Sequence, residues 1–110
     1  MIPLDVRPSD LDRVRKILAE HIPRYDIYAF GSRVTGKATK ASDLDLAVMT
    51  DKPLDVLRMA DLRDAFSESD LPFKVDIVDW AAIEENFRKI ILQDGSKIQT
   101  GGKSPMKGKE

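Results

Sequence analysis

Leu11, Val14, Ile17, Leu18 and Ile22 fall three and four residues apart and stop at Pro23, a spacing that predicts a helix with one apolar stripe. Pro8-Ser9-Asp10 just ahead of it supplies N-cap chemistry. From Tyr25 to Phe30 the pattern changes to aromatic and β-branched residues ending at Gly31, which predicts a strand running into a turn. Residues 31–42 then form a polar connection. Asp43 to Thr50 alternates, with Leu44, Leu46 and Val48 on one face and Asp43, Asp45, Ala47 and Met49 on the other, so a second strand is expected there.

Residues 53–68, PLDVLRMADLRDAFSE, align Met59, Leu62 and Phe66 on one helical stripe before Leu71-Pro72 breaks the chain. Lys74 to Trp80 alternates again, placing Val75 and Ile77 opposite Asp76 and Val78. Ile83, Phe87, Ile90 and Ile91 mark a last helix closed near Gly95, and Lys97 to Thr100 offers a further short extended piece. Strands separated by helices predict an α/β (α+β) fold, a small mixed sheet of three to four strands with helices packed on one face. One domain over residues 1–100 is expected, followed by a flexible tail at 101–110, GGKSPMKGKE, where Met106 is the sole large apolar residue.

Composition narrows the classes. A chain of 110 residues with 42% hydrophobic and 34% charged residues has enough apolar content for one core, so wholesale disorder is excluded. Eighteen basic residues against nineteen acidic ones leave a net charge of -1, so no bulk field draws nucleic acid, and direct nucleic-acid binding is not expected. The start lacks a signal-peptide layout and no apolar run nears the roughly 20 residues that span a bilayer, so no membrane partner is expected. With no cysteine, disulfides and thiolate metal sites are ruled out and a cytoplasmic location is the economical expectation.

The chemistry follows from parity. If helices cover Leu44, Leu46, Val48, Val75 and Ile77, then Asp43, Asp45 and Asp76 emerge together on the opposite face. Two unit charges 4 Å apart repel by about 1 kcal/mol in water and about 4 kcal/mol at an effective dielectric of 20, so three clustered carboxylates call for a cation. All-oxygen donors, with His21 remote, suit Mg²⁺ or Mn²⁺ better than Zn²⁺, and Mg²⁺ commonly completes its shell with substrate phosphate. Gly31 after a strand lets backbone approach a phosphate, and the Ser32 hydroxyl can donate to it. Arg33, Lys37 and Lys40 are near enough in sequence to add positive charge, and Arg33 is the preferred phosphate contact among them.

Gly31-Ser32, ten residues, Asp43-Leu44-Asp45 and a later Val75-Asp76-Ile77 resemble the signature of the DNA polymerase β-like nucleotidyltransferase superfamily. In length and flanking sequence the chain is similar to the minimal nucleotidyltransferase (MNT) branch, encoded beside HEPN-domain partners, and the resemblance covers roughly residues 11–91. It implies the polymerase β palm-like fold and transfer of a nucleoside monophosphate from a nucleoside triphosphate, with ATP the expected donor, to a hydroxyl acceptor. It further implies that Asp43 and Asp45 hold two Mg²⁺ ions, that Asp76 holds the catalytic one and helps deprotonate the acceptor, and that Gly31 and Ser32 bind the β- and γ-phosphates. The partner implied is a HEPN ribonuclease toxin from the neighbouring gene, neutralised through adenylylation of a tyrosine or, alternatively, by stoichiometric binding without catalysis. The chain ends after its third long helix where larger relatives append an acceptor-selecting domain, so the acceptor site is expected on another chain.

Other assignments stand beside these. Asp79 rivals Asp76 as third carboxylate, with strand parity favouring Asp76. Lys37 and Lys40 can equally be plain surface, His21 suits a helix C-terminus, and Trp80 suits a core or interface better than base stacking.

Overall fold

The computed structural model describes residues 4–101, so of the tail expected at 101–110 all but Gly101 lies outside the described residues. The chain runs α1 (Pro8–His21), β1 (Ile27–Phe30), α2 (Ser32–Thr35), β2 (Leu44–Val48), α3 (Val56–Ser67), β3 (Val75–Asp79), a 3-10 turn (Trp80–Ala82), α4 (Glu85–Asp94) and β4 (Ser96–Gln99). The four strands form one mixed sheet in the order β3-β2-β1-β4. β1 is antiparallel to both β2 and β4, while β2 and β3, joined through α3, run parallel.

Each predicted element is present with trimmed ends, and the trims have local causes. Pro8 takes the first turn of α1, where its missing N–H costs nothing, so the N-cap falls on Arg7, which makes no side-chain cap. The first-turn acid is Asp10, 5% exposed and 3.5 Å from Arg7 Nε. β1 begins at Ile27 because the Gln99 side chain donates to the carbonyls of Ile22 and Tyr25, removing that stretch from the ladder. α3 begins at Val56 because the Asp55 carboxylate accepts from the N–H groups of Leu57 and Arg58. The extended piece expected near Lys97 is β4, an edge strand, and Gly101 beyond it is buried with its N–H on Asp26 Oδ1 at 2.6 Å.

Two apolar clusters sandwich the sheet. On one face Val14 and Leu18 of α1, Ile22 just after it, and Met59, Leu62 and Phe66 of α3 close over Ile27, Ala29, Leu44, Leu46, Val48 and Ile77. That is the face the alternation predicts, and each large side chain fully buried there contributes about 1.5–3 kcal/mol before chain entropy is charged against it. The opposite face is not bare: α4 brings Phe87 and Ile91 onto Phe30, Ala47, Tyr28 and Val78. Phe30 and Phe87 meet edge to face, 5.5 Å between centroids. Helices therefore cover both faces, the second over part of its area. Among the described residues no helix is long and apolar enough to cross a membrane.

Candidate functional site

The sheet register lines up the motif residues. Phe30 pairs with Asp45 across β1 and β2, and Asp45 pairs with Asp76 across β2 and β3, so Phe30, Asp45 and Asp76 sit along one line over three strands, with Gly31, the next residue after Phe30, against the Asp45 carboxylate. Directly paired residues share a face, so both carboxylates project on the α4 side, beside Phe30.

Gly31 leaves β1 at φ 84° and ψ -158°, a region occupied almost solely by glycine, and a Cβ there would run into Asp45 Oδ2. The glycine is thus required twice, once for the backbone angle and once so that the turn can lie against the carboxylate. The chain then enters α2, a single helical turn in the stretch expected to be a polar loop. The N–H groups of Val34 and Thr35 both reach the Gly31 carbonyl, at 3.0 and 3.2 Å. Those of Ser32 and Arg33, at the start of the turn, have no carbonyl four residues back to bind and can turn toward an anion. Gly36, at φ 82°, closes α2 in the left-handed conformation, and Lys37 N–H returns to the Ser32 carbonyl at 3.1 Å.

Asp43 and Asp76 are exposed and Asp45 is half-buried. The Asp45 pKa is pushed up, first by its burial, then by the charge of Asp76, then by that of Asp43. The Gly31 turn lies directly against the Asp45 carboxylate, and the apolar cluster around Phe30 occupies the same face. The two neighbouring charges are the sequence-predicted partners, brought together by register.

Asp79 is not one of them. Three residues beyond Asp76 it has the opposite parity, and its carboxylate accepts from Thr50 Oγ1, from Leu54 N–H at 2.6 Å and from Ala81 N–H at 3.2 Å. It caps the 3-10 turn and anchors the β2–α3 connection.

Arg33 is the clear departure from expectation. The sequence suggests a phosphate contact, but the side chain turns inward, 7% exposed, and its guanidinium donates to the carbonyls of Asp5 (2.7 Å), Ser42 (3.0 Å) and Lys40 (3.4 Å) while lying 4.4 Å over the Phe73 ring. Each of its three guanidinium nitrogens donates to a backbone carbonyl, so the side chain is committed to the protein. Lys37 and Lys40 are exposed. Neither the Asp79 cap nor the Arg33 anchor has a strong sequence signal, since both depend on partners 25 or more residues away.

The donor set fits a hard divalent cation. All candidate ligands are carboxylate oxygens, and the Asp45 carboxyl, its pKa raised first by burial and then by the charges of Asp76 and Asp43, would be relieved by a cation. Among the described residues no group of three or more acidic, imidazole or thiol side chains is placed to hold a metal ion by itself. An open edge of this kind suits an ion that takes one or two carboxylates and completes its shell with water and phosphate.

The family described as polymerase beta, nucleotidyltransferase matches residues 12–101. The chain is 53% identical over 88 residues to the probable protein adenylyltransferase MntA of Haemophilus influenzae, covering 80% of this chain and 77% of that protein. Its fold matches a chain of the crystal structure of a toxin-antitoxin with AMP-PNP at TM-score 0.69 and 28% identity, covering 82% of this chain and 73% of that one. A structure of tri-AMPylated Shewanella oneidensis HEPN toxin in complex with MNT antitoxin matches at TM-score 0.62 and 25% identity, covering 84% and 71%.

Proposed function

Because the chain belongs to the polymerase beta nucleotidyltransferase family, we propose that it is an MntA-type antitoxin that moves AMP from ATP to a hydroxyl, a tyrosine side chain, of a HEPN-domain toxin. Pyrophosphate is the leaving group. The acceptor oxygen bonds to the α-phosphorus, the bond from that phosphorus to the bridging oxygen breaks, and the acceptor proton passes to a carboxylate.

The observation that carries this reading is Asp45 paired in register with Asp76, with the Gly31 turn against its carboxylate and the charges of Asp76 and Asp43 acting on it. Gly31 opens room for the triphosphate, and the Ser32 hydroxyl with the Ser32 and Arg33 N–H groups grips its β- and γ-phosphates. Asp43 and Asp45 would hold Mg²⁺, with Asp76 holding the ion next to the acceptor, and the bound ions supply positive charge around the reacting phosphate. Asp76, exposed beside Asp45, takes the acceptor proton. Ser32 binds and does not attack, since the sole histidine, His21, lies at the far end of α1 and cannot activate it. Lack of cysteine supports a cytoplasmic site of action.

The test is incubation with labelled ATP, Mg²⁺ and the cognate HEPN protein. Label should move to a tyrosine of the toxin, and the Asp43→Asn, Asp45→Asn double variant should transfer none. Full labelling by the double variant would sink the assignment of Asp43 and Asp45, and full neutralisation of the toxin by it with no covalent mark would sink the catalytic reading.

A further inference from the structure

Arg33 touches three segments of the chain that are distant in sequence. Its guanidinium holds the Asp5 carbonyl ahead of α1 and the Lys40 and Ser42 carbonyls at the end of the loop that delivers Asp43. Its face rests on Phe73, two residues before β3 and three before Asp76, and its own carbonyl accepts from Asp5 N–H at 2.7 Å. Lys74, next to Phe73, gives its carbonyl to Leu44 N–H at 2.9 Å, so the ring beneath Arg33 is tied to the middle of the Asp43-Leu44-Asp45 motif. Arg33 itself directly follows Ser32.

We infer that Arg33 is a positioning residue of the transfer reaction, a strut that sets the separation between the phosphate-gripping turn and the carboxylate edge. This rests on the transferase reading above. The chemistry requires arginine: the planar fork reaches carbonyls on two segments at once while its face stacks on a ring, whereas a lysine ammonium is a point donor. The loop it braces has few other ties. Thr39 and Ser42 bond each other through Thr39 N–H to Ser42 Oγ and Ser42 N–H to the Thr39 carbonyl, both within the exposed tip. A cavity of about 660 Å³ lined by Arg7, Asp10, Thr39 and Phe73 lies against the strut, so the fold does not hold this loop by packing alone.

The test is steady-state transfer to the HEPN protein by Arg33→Lys and by Phe73→Leu, with hydrogen exchange of the free proteins over residues 37–44. Phe73→Leu keeps apolar bulk, removes the ring beneath the guanidinium and touches no phosphate, so it carries the test should Arg33→Lys fail to fold by circular dichroism. A misplacement of about 1 Å costs about a hundredfold in rate, so kcat should fall about tenfold to a hundredfold in both, with the KM for ATP within about threefold of wild type. Exchange should quicken at residues 37–44. A raised KM with preserved kcat in Arg33→Lys would make the side chain a phosphate contact, and unchanged kcat in the folded variants would leave it a stabilising residue only; either overturns the strut. A wild-type protein without transfer activity overturns the transferase reading and the strut together, which no result in the variants alone can do.

Discussion

Neutralising Asp45 should stabilise the free protein and deprive it of its stabilisation by Mg-ATP. Adjacent strands lie about 4.8 Å apart, so the Asp45 and Asp76 charges, paired in register, face each other across about 5 Å. At that distance the repulsion is about 3 kcal/mol at an effective dielectric of 20 and under 1 kcal/mol in water. Asp76 is exposed and Asp45 half-buried, so screening brings the value toward the lower end, and about 1 kcal/mol is the expected gain in Asp45→Asn. For a domain of this size that is a rise of about 4–8 °C in Tm. The sign with pH is fixed by linkage. The folded pKa of Asp45 is raised, so just above the ordinary carboxylate range the folded form binds more protons than the unfolded chain, and wild-type stability falls as pH rises through that window. The variant's advantage should be full near pH 7 and shrink as the pH drops toward 4. With Mg-ATP at a hundred times its Kd the wild type gains about 2.7 kcal/mol, the variant loses most of that, and the order of the two melting points reverses. Differential scanning fluorimetry in EDTA and in Mg-ATP at pH 7 and pH 5 reads all of this. An Asp45→Asn protein that melts no higher than wild type in EDTA at pH 7 would refute the crowding of charges on this edge.

Gly31→Ala should lose about 1–3 kcal/mol to backbone strain at φ 84° and transfer no AMP, because its methyl enters the space of Asp45 Oδ2; urea midpoints and the labelling assay check both. Asp76→Asn and Asp79→Ala should behave as opposites. The first abolishes transfer and, by removing the same Asp45–Asp76 repulsion, raises Tm in EDTA about as Asp45→Asn does; the second leaves the Leu54 N–H and the Thr50 hydroxyl without their acceptor, costs about 1–3 kcal/mol in stability and keeps the kcat of the folded fraction. Loss of kcat in Asp79→Ala at full Tm would reverse the choice between the two carboxylates. Leu46→Ala, at a fully buried strand position, should cost about 2–5 kcal/mol by urea denaturation, enough to leave a marginal domain substantially unfolded at 37 °C.

What the sequence disclosed and what it withheld divide by the range of the interaction responsible. Period-two alternation in β2 and β3 is a local property, and it placed Leu44, Leu46, Val48 and Ile77 inward and Asp45 and Asp76 together on the other side, where the structure has them. The strand order and the antiparallel pairing of β1 with β2 depend on which chains meet, yet the same parity sufficed because the pairing keeps faces in register. The features that alternation did not reveal are made by distant partners. Phe87 and Ile91 are legible as a helical stripe, but only the packed fold says that α4 lies on the face that carries Asp45 and Asp76. Arg33 shows the same limit more sharply. An arginine after Gly-Ser in a polar stretch has the charge for phosphate, and nothing within ten residues on the sequence indicates Phe73 and Asp5, forty residues ahead and twenty-eight behind, as the groups that turn it inward. Residue type and spacing therefore identified the carboxylates that the fold brings together, and tertiary packing decided which of their neighbours hold them in place.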